Sequence, residues 1–346
     1  MRICVLLAFL AFSLGARAAS PAVRCGDEIL RHQAPDGAIA MDRLGPTNRV
    51  VPYFGNLAAL GLLSVYSTTH ESRFRESAEQ WADWYAAHQN VNGTIDDFTG
   101  AAKNWRATGD YDSTDSYAAT YLSLLGAIAE VDPTWMTNRY ARIRLAVQAI
   151  VLTRQTNGLT LAKPGWPIAY TMDNMEVWRG LRAAAQWAAL SGHAQDATHW
   201  NVIAGKVQAA IGNQLWDAQR ENYAVGLQTN GARIFAGNEW YPGTMANLMA
   251  IGWQDFSGRN AAVYRRMLGR DALRIPVAVK TEADWERLVW WGFAAAAAGD
   301  EQGWHAIQAR LAAADPALIR NPALLGHACR LLTRPGPAAG DGESHQ

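Results

Sequence analysis

Residues 115–127 read DSYAATYLSLLGA and residues 174–186 read NMEVWRGLRAAAQ; each opens on polar or acidic residues and continues as an unbroken run of small and apolar side chains. The same plan recurs in YFGNLAALGLL from Tyr53, PGTMANLMAIGW from Pro242 and ERLVWWGFAAAAAG from Glu286, with a fainter copy in PALLGHACRLL from Pro322. Repeats of this kind are units that cannot bury their faces alone and must pack against neighbours. Small residues on most sides suit helices whose axes approach closely and whose surfaces scarcely meet water.

Segments of a second type alternate with these. Val23 to His32, Arg73 to Gln89, Thr137 to Gln155, Gln195 to Leu215, Arg259 to Leu268 and Glu301 to Ala313 carry charges on one side and Leu, Ile, Val or Trp at three-and-four spacing on the other. The expectation is an all-α fold: an inner ring of small-residue helices inside an outer ring of amphipathic ones, a toroid of six helical hairpins. The 346 residues, 49% hydrophobic and 18% charged, supply a sizeable core, and no Pro/Ser/Gly linker divides them. Lys plus Arg and Asp plus Glu both number 31, so nothing in the charge balance favours nucleic acid or an anionic membrane.

The two ends read differently from this body. Arg2, the apolar run from Ile3 to Phe12 and the triplet Ala16, Arg17, Ala18 match a signal peptide over residues 1–18, with cleavage after Ala18 and export to the periplasm or beyond. The toroid then occupies 19–333, and the Gly/Pro/Ala-rich residues 334–346 read as a disordered tail. After cleavage Cys25 and Cys329 remain, one on the first helix and one on the last. A closed ring makes those helices neighbours, and in an oxidising compartment a disulfide between them is expected.

Chemistry is expected in three long connections: residues 90–115, 156–174 and 217–243 each hold a Gly turn or short strand pair, then a Trp, then the start of an inner helix. In a ring of hairpins they share one rim, with short β-hairpins there. Asp96, Asp97, Trp105, Asp112, Asp115, Trp166, Asp173, Glu176, Glu239 and Trp240 would meet in one cleft, joined by Tyr53, Asn174 and Tyr241. Aromatic faces over carboxylates suit a carbohydrate, since rings stack on pyranoses and carboxyls exchange protons with a glycosidic oxygen. Trp81, Trp84, Trp187, Trp200 and Trp216, at helical spacing among apolar residues, read as core instead.

Asp112/Asp115 and Asp173/Glu176 are each three apart at a helix start, which is also the spacing of a capping box. Their shared position in two repeats favours carboxylates on opposite walls of one depression. No HExxH, zinc-type Cys spacing, phosphate loop or GxSxG is present, so no metal or cofactor is expected.

The helix alternation, DSTDSYAATYLSLL from Asp112 and MDNMEVWRGL from Met172 resemble the six-hairpin glycosidase superfamily of (α/α)6 toroids, which includes cellulases, chitosanases, glucoamylases and unsaturated uronyl hydrolases. The segment Asp112–Asp115 is similar to one that carries an active-site aspartate in cellulase and chitosanase members. NRVVPYFGNL from Asn48 departs from the cellulase-like pattern: it holds no carboxylate where several of those enzymes place the proton-donating glutamate. The resemblance implies an inverting glycoside hydrolase acting on a poly- or oligosaccharide. Its carboxylate pair would come from Asp112 or Asp115 with Asp173 or Glu176, and Glu239 is the alternative acid. A non-catalytic saccharide-binding protein of exopolysaccharide assembly, or a uronyl hydrolase or lyase, are the competing readings; the last would need cations at the cleft, for which Arg106, Lys163, Arg179 and Arg233 are the candidates.

Overall fold

A computed structural model of the chain describes residues 19–237, 239–253 and 259–335; the expected signal peptide and all but the first two residues of the expected tail lie outside them. Six helices form an inner ring: α2 (Pro52–Thr69), α4 (Thr114–Val131), α6 (Thr171–Leu190), α8 (Met245–Trp253), α10 (Glu282–Ala298) and α12 (Pro322–Thr333). Six more pack outside them: α1 (Pro21–Leu30), α3 (Ser72–His88), α5 (Tyr140–Thr153), α7 (Ala194–Ala210), α9 (Arg259–Asp271) and α11 (Glu301–Ala313). Each inner helix contacts the next, and α12 packs on α2, so the ring closes.

Closure depends on residues without side chains. A Cβ on Gly61 of α2 would strike the backbone of Gly326 of α12, and one on Gly326 would strike the carbonyl of Leu57. Gly180 of α6 bears in the same way on Ala119 of α4. Neighbouring helices are also fastened together by buried tryptophans whose N–H groups find acceptors. Trp81 of α3 donates to Asn56 Oδ1 (3.0 Å), and Trp285 of α10 donates to the Leu324 carbonyl (3.1 Å).

Cys25 and Cys329 do meet where α1 packs on α12, each almost fully buried, but they stand there as free thiols and not as the expected disulfide. Burial, then the neighbouring Cys25 thiol, pushes the Cys329 thiol well up.

All six inner helices begin at the same rim, and the strands lie there. β1 (Asn48–Val50), β2 (Phe98–Gly100) and β3 (Arg106–Ala107) form one antiparallel sheet, with Asn48 opposite Gly100. β5 (Trp216–Asp217) pairs with β6 (Asn222–Tyr223). β4 (Ile168–Tyr170), β7 (Gly226–Gln228) and β8 (Arg233–Ile234) form a third sheet, with Ile168 opposite Gln228. The first and third sheets each join loops from successive hairpins into one surface. Among the described residues no helix is long and apolar enough to cross a membrane.

Candidate active site

The starts of α4 and α6 are built differently from the capping-box expectation. Ser113, not Asp112, caps α4, its Oγ accepting from the Ser116 amide (3.2 Å), and α6 has no side-chain cap at all. Asp112, Asp173 and Glu176 are therefore free of the helix-end role.

Asp115 is not. Fully buried, it accepts from Ser113 Oγ (2.6 Å), the Ser116 amide (2.8 Å) and Thr160 Oγ1 (2.6 Å), tying α4 to the loop before α6. Burial raises its pKa to about 6 against the pull of these donors. Asn174, expected at the substrate, is another internal tie: it accepts from the Thr160 amide (2.8 Å) and donates to the carbonyls of Thr160 (3.0 Å) and Tyr170 (2.8 Å). Asp97 is likewise occupied, pairing with Arg49 (2.7 Å) and accepting from the Tyr117 hydroxyl (2.9 Å). None of the three presents a free polar group to a ligand.

The acids left for chemistry cluster where α4 and α6 begin. Glu176, one turn into α6, accepts from the Tyr53 hydroxyl at 2.7 Å, and its burial lifts its pKa to about 8. Asp173 lies one turn nearer the rim and keeps access to solvent. Its pKa is pushed well above the usual carboxylate range, by burial first and then by repulsion from Asp115, Glu176 and Asp112. The Ser116 hydroxyl favours ionisation of both Asp173 and Glu176, yet makes no hydrogen bond of ordinary length. Asp112 is exposed at the lip, its amide donating to the Tyr117 hydroxyl (3.3 Å). These acids do not face one another across the ring as expected, because α4 and α6 are adjacent walls in close contact.

The opposite wall is α10, and it carries an acid not anticipated from the sequence. Glu286 accepts from the Trp240 indole N–H at 2.7 Å, and burial raises its pKa. Between the walls stands Tyr241, 63% exposed, whose phenol is pushed up by lost solvation and by the charges of Asp173, Asp112 and Glu286. Glu286 is the first residue of the fifth repeat, as Asp115 is of the second, but the repeat alone does not tell which acid borders the cleft. Glu239, the alternative acid, is exposed on the loop and makes no hydrogen bond or ion pair through its side chain among the described residues.

The aromatic residues divide as well. Trp166 is 43% exposed at the rim, its indole N–H 3.4 Å from the Tyr170 hydroxyl. Trp240 is partly buried on the α10 side through its bond to Glu286. Tyr53 stacks on Tyr117 with centroids 6.1 Å apart, forming the floor. Trp105 is elsewhere: its N–H donates to Asp36 (3.0 Å) and its ring packs edge-on against Trp84 of α3, so it belongs to the outer layer. Among the described residues no three His, Cys, Asp or Glu side chains are placed to hold a metal ion.

No protein-family model matches the chain, and no curated protein matches its sequence. Solved structures do match its fold over nearly its whole length. A GH63 mannosylglycerate hydrolase from Thermus thermophilus, in complex with glucose, superposes with a TM-score of 0.65 at 12% identity, covering 90% of this chain and 100% of its own. A novel alpha-amylase from Clostridium perfringens gives 0.61 at 11% identity over 90% of this chain and 96% of its own. The family 8 endoglucanase Cel10 from Klebsiella pneumoniae gives 0.57 at 13% identity over 90% and 100%. The chain has the six-hairpin (α/α)6 toroid of these glycosidases, as the resemblance implied; at such identities the likeness speaks to fold alone.

Proposed function

We propose that this protein is a glycoside hydrolase that cleaves a poly- or oligosaccharide at the rim cleft, with inversion. The observation that carries the reading is the crowding of Asp115, Asp173 and Glu176 at the starts of α4 and α6, with Asp112 beside them at the exposed lip. Closely placed carboxyls in a poorly solvated site cannot all ionise, so the cluster keeps protons at neutral pH. A carboxyl held protonated beside a sugar is what donation to a glycosidic oxygen requires.

Asp173 is assigned as the donor, because of the two strongly raised acids it is the one nearer the cleft and in contact with solvent. Glu176, held by Tyr53 beneath it, fills the site's floor. Asp112 at the lip is assigned as the base that takes a proton from the attacking water. Inversion needs room for that water, with carboxyl groups about 6.5–9.5 Å apart. Trp166 and Tyr241 offer stacking faces, and Glu286 with Trp240 borders the cleft on the far side. The reading as an acidic-sugar enzyme has less support, since Lys163 is paired with Asp110 and Arg233 with Asp217. With the first 18 residues removed as a signal peptide, the substrate would be a periplasmic or extracellular saccharide.

The test is to screen polysaccharides by reducing-end release and then measure Asp112→Asn, Asp173→Asn, Glu176→Gln and Glu286→Gln on the substrate found. Loss of roughly 100-fold or more in turnover is expected for Asp112→Asn and Asp173→Asn. Loss in Glu176→Gln with near-normal Asp173→Asn moves the donor one turn deeper; loss in Glu286→Gln in place of Asp112→Asn moves the base to α10. Saccharide binding without release of reducing ends, unaffected by all four changes, sinks the hydrolytic reading in favour of a binding protein.

A further inference from the structure

The bore of the ring is open below the carboxyl cluster. From Glu176 a cavity of about 420 Å3 runs between α2, α4, α6, α8 and α12 to the rear rim, where Ser67, Glu130 and Leu190 are exposed. On α6 its wall is Glu176, Arg179, Ala183, Gln186 and Leu190, one axial stripe at helical spacing. At about 1.5 Å of rise per residue that stripe is ~20 Å long. This chamber faces away from the rim cleft, and what it binds does not depend on the hydrolytic reading.

Two guanidinium groups line it, Arg179 of α6 and Arg330 of α12. Arg179 makes one long hydrogen bond, to the Trp253 carbonyl at 3.4 Å. The Arg330 guanidinium makes no hydrogen bond or ion pair among the described residues. Both lie against one aromatic ring: their guanidinium carbons are 5.2 and 5.7 Å from the Trp253 centroid, and that of Arg330 is also 5.2 Å from the Phe293 centroid. The Trp253 indole N–H has no acceptor among the described residues either. Burial, then repulsion by Arg179 and Arg334, brings Arg330 down to about 9.

Two carboxyls line the chamber, Glu176 at its top and Glu130 at its rear lip; Glu176 attracts Arg179 from a distance, but among the described residues neither carboxyl forms an ion pair with these arginines, and Glu176 holds its proton up to about pH 8. The upper chamber thus holds two like charges and an excess of donors. Burying guanidinium groups without an anion is unfavourable, and their forked donors match a planar or tetrahedral oxyanion. We propose that the rear chamber binds a small oxyanionic ligand, its carboxylate, sulfate or phosphate group held between Arg179 and Arg330 and any remaining body directed along Ser64, Ser67 and Ser123 toward the rear rim.

Titration calorimetry on the full protein, with sodium phosphate, sulfate and glucuronate as probes against chloride at constant ionic strength, tests this. One saturable site with a Kd of about 1 mM or tighter is expected for at least one probe. Tighter phosphate or sulfate identifies an inorganic-type oxyanion, and tighter glucuronate a sugar acid. Arg330→Gln and Arg179→Gln should each weaken it about tenfold or more, while Arg330→Lys, which keeps the charge, should retain part of it. Absence of saturable heat with all three probes at about 20 mM overturns the proposal; so does binding unchanged in both Gln variants. If Arg330→Gln does not fold, Arg179→Gln with Arg330→Lys decides the matter alone.

Discussion

At the scale of single residues, carboxyls of the same rim have separate roles because their partners differ. Asp115 has three donors within 2.8 Å and is an internal joint. Replacing it by Asn leaves one of those donors facing an amide N–H, so a stability loss of about 1–3 kcal/mol is expected by thermal unfolding. Glu176 should make stability depend on pH. Its folded pKa, about 8, lies above the ordinary value of 4.5, so the folded state holds a proton that the unfolded state releases. Stability from this group is full below pH 4.5 and is lost as pH rises to about 8. Glu176→Gln, which needs no proton, should flatten the fall in melting temperature across that window; an unchanged slope would show that Glu176 ionises normally in the fold.

At the scale of helices, the inner segments were legible because small-residue runs with polar heads repeat, and the amphipathic segments because their period is helical. The expected starts at Tyr53, Asp115, Asn174 and Pro322 fall within three residues of the helix starts at Pro52, Thr114, Thr171 and Pro322. Lateral placement was not legible. Sequence spacing could not show that Trp105 leans outward onto Trp84, that Asn174 turns into the loop before it, or that the α10 wall carries Glu286 in the position sought for Glu239. Two contrasts follow. Trp166→Ala or Tyr241→Ala should weaken saccharide binding by about 0.5–1.5 kcal/mol with little change in melting temperature, whereas Trp105→Ala should do the reverse. Gly326→Ala should separate α12 from α2 and destabilise by about 1–3 kcal/mol, measured by denaturant unfolding; a neutral result would mean that the two helices can slide apart without loss.

At the scale of the molecule, the ring brings its first and last helices together, and the thiols of Cys25 and Cys329 report on that seam. Neither should react with an alkylating reagent in the native protein, and both should react once it is unfolded without reductant. A count of zero after unfolding would instead reveal that the pair had been oxidised. The same contact between α1 and α12 has a consequence for chain order. A closed circle of hairpins has no intrinsic beginning: every inner helix has a neighbour on each side, and the ends of the described chain fall in one gap of the circle simply because synthesis must start somewhere. A circular permutant that joins α12 to α1 by a short linker and opens the chain at the exposed Gly299, ahead of the α11 cap Asp300, should therefore assemble the same cleft from a different reading order.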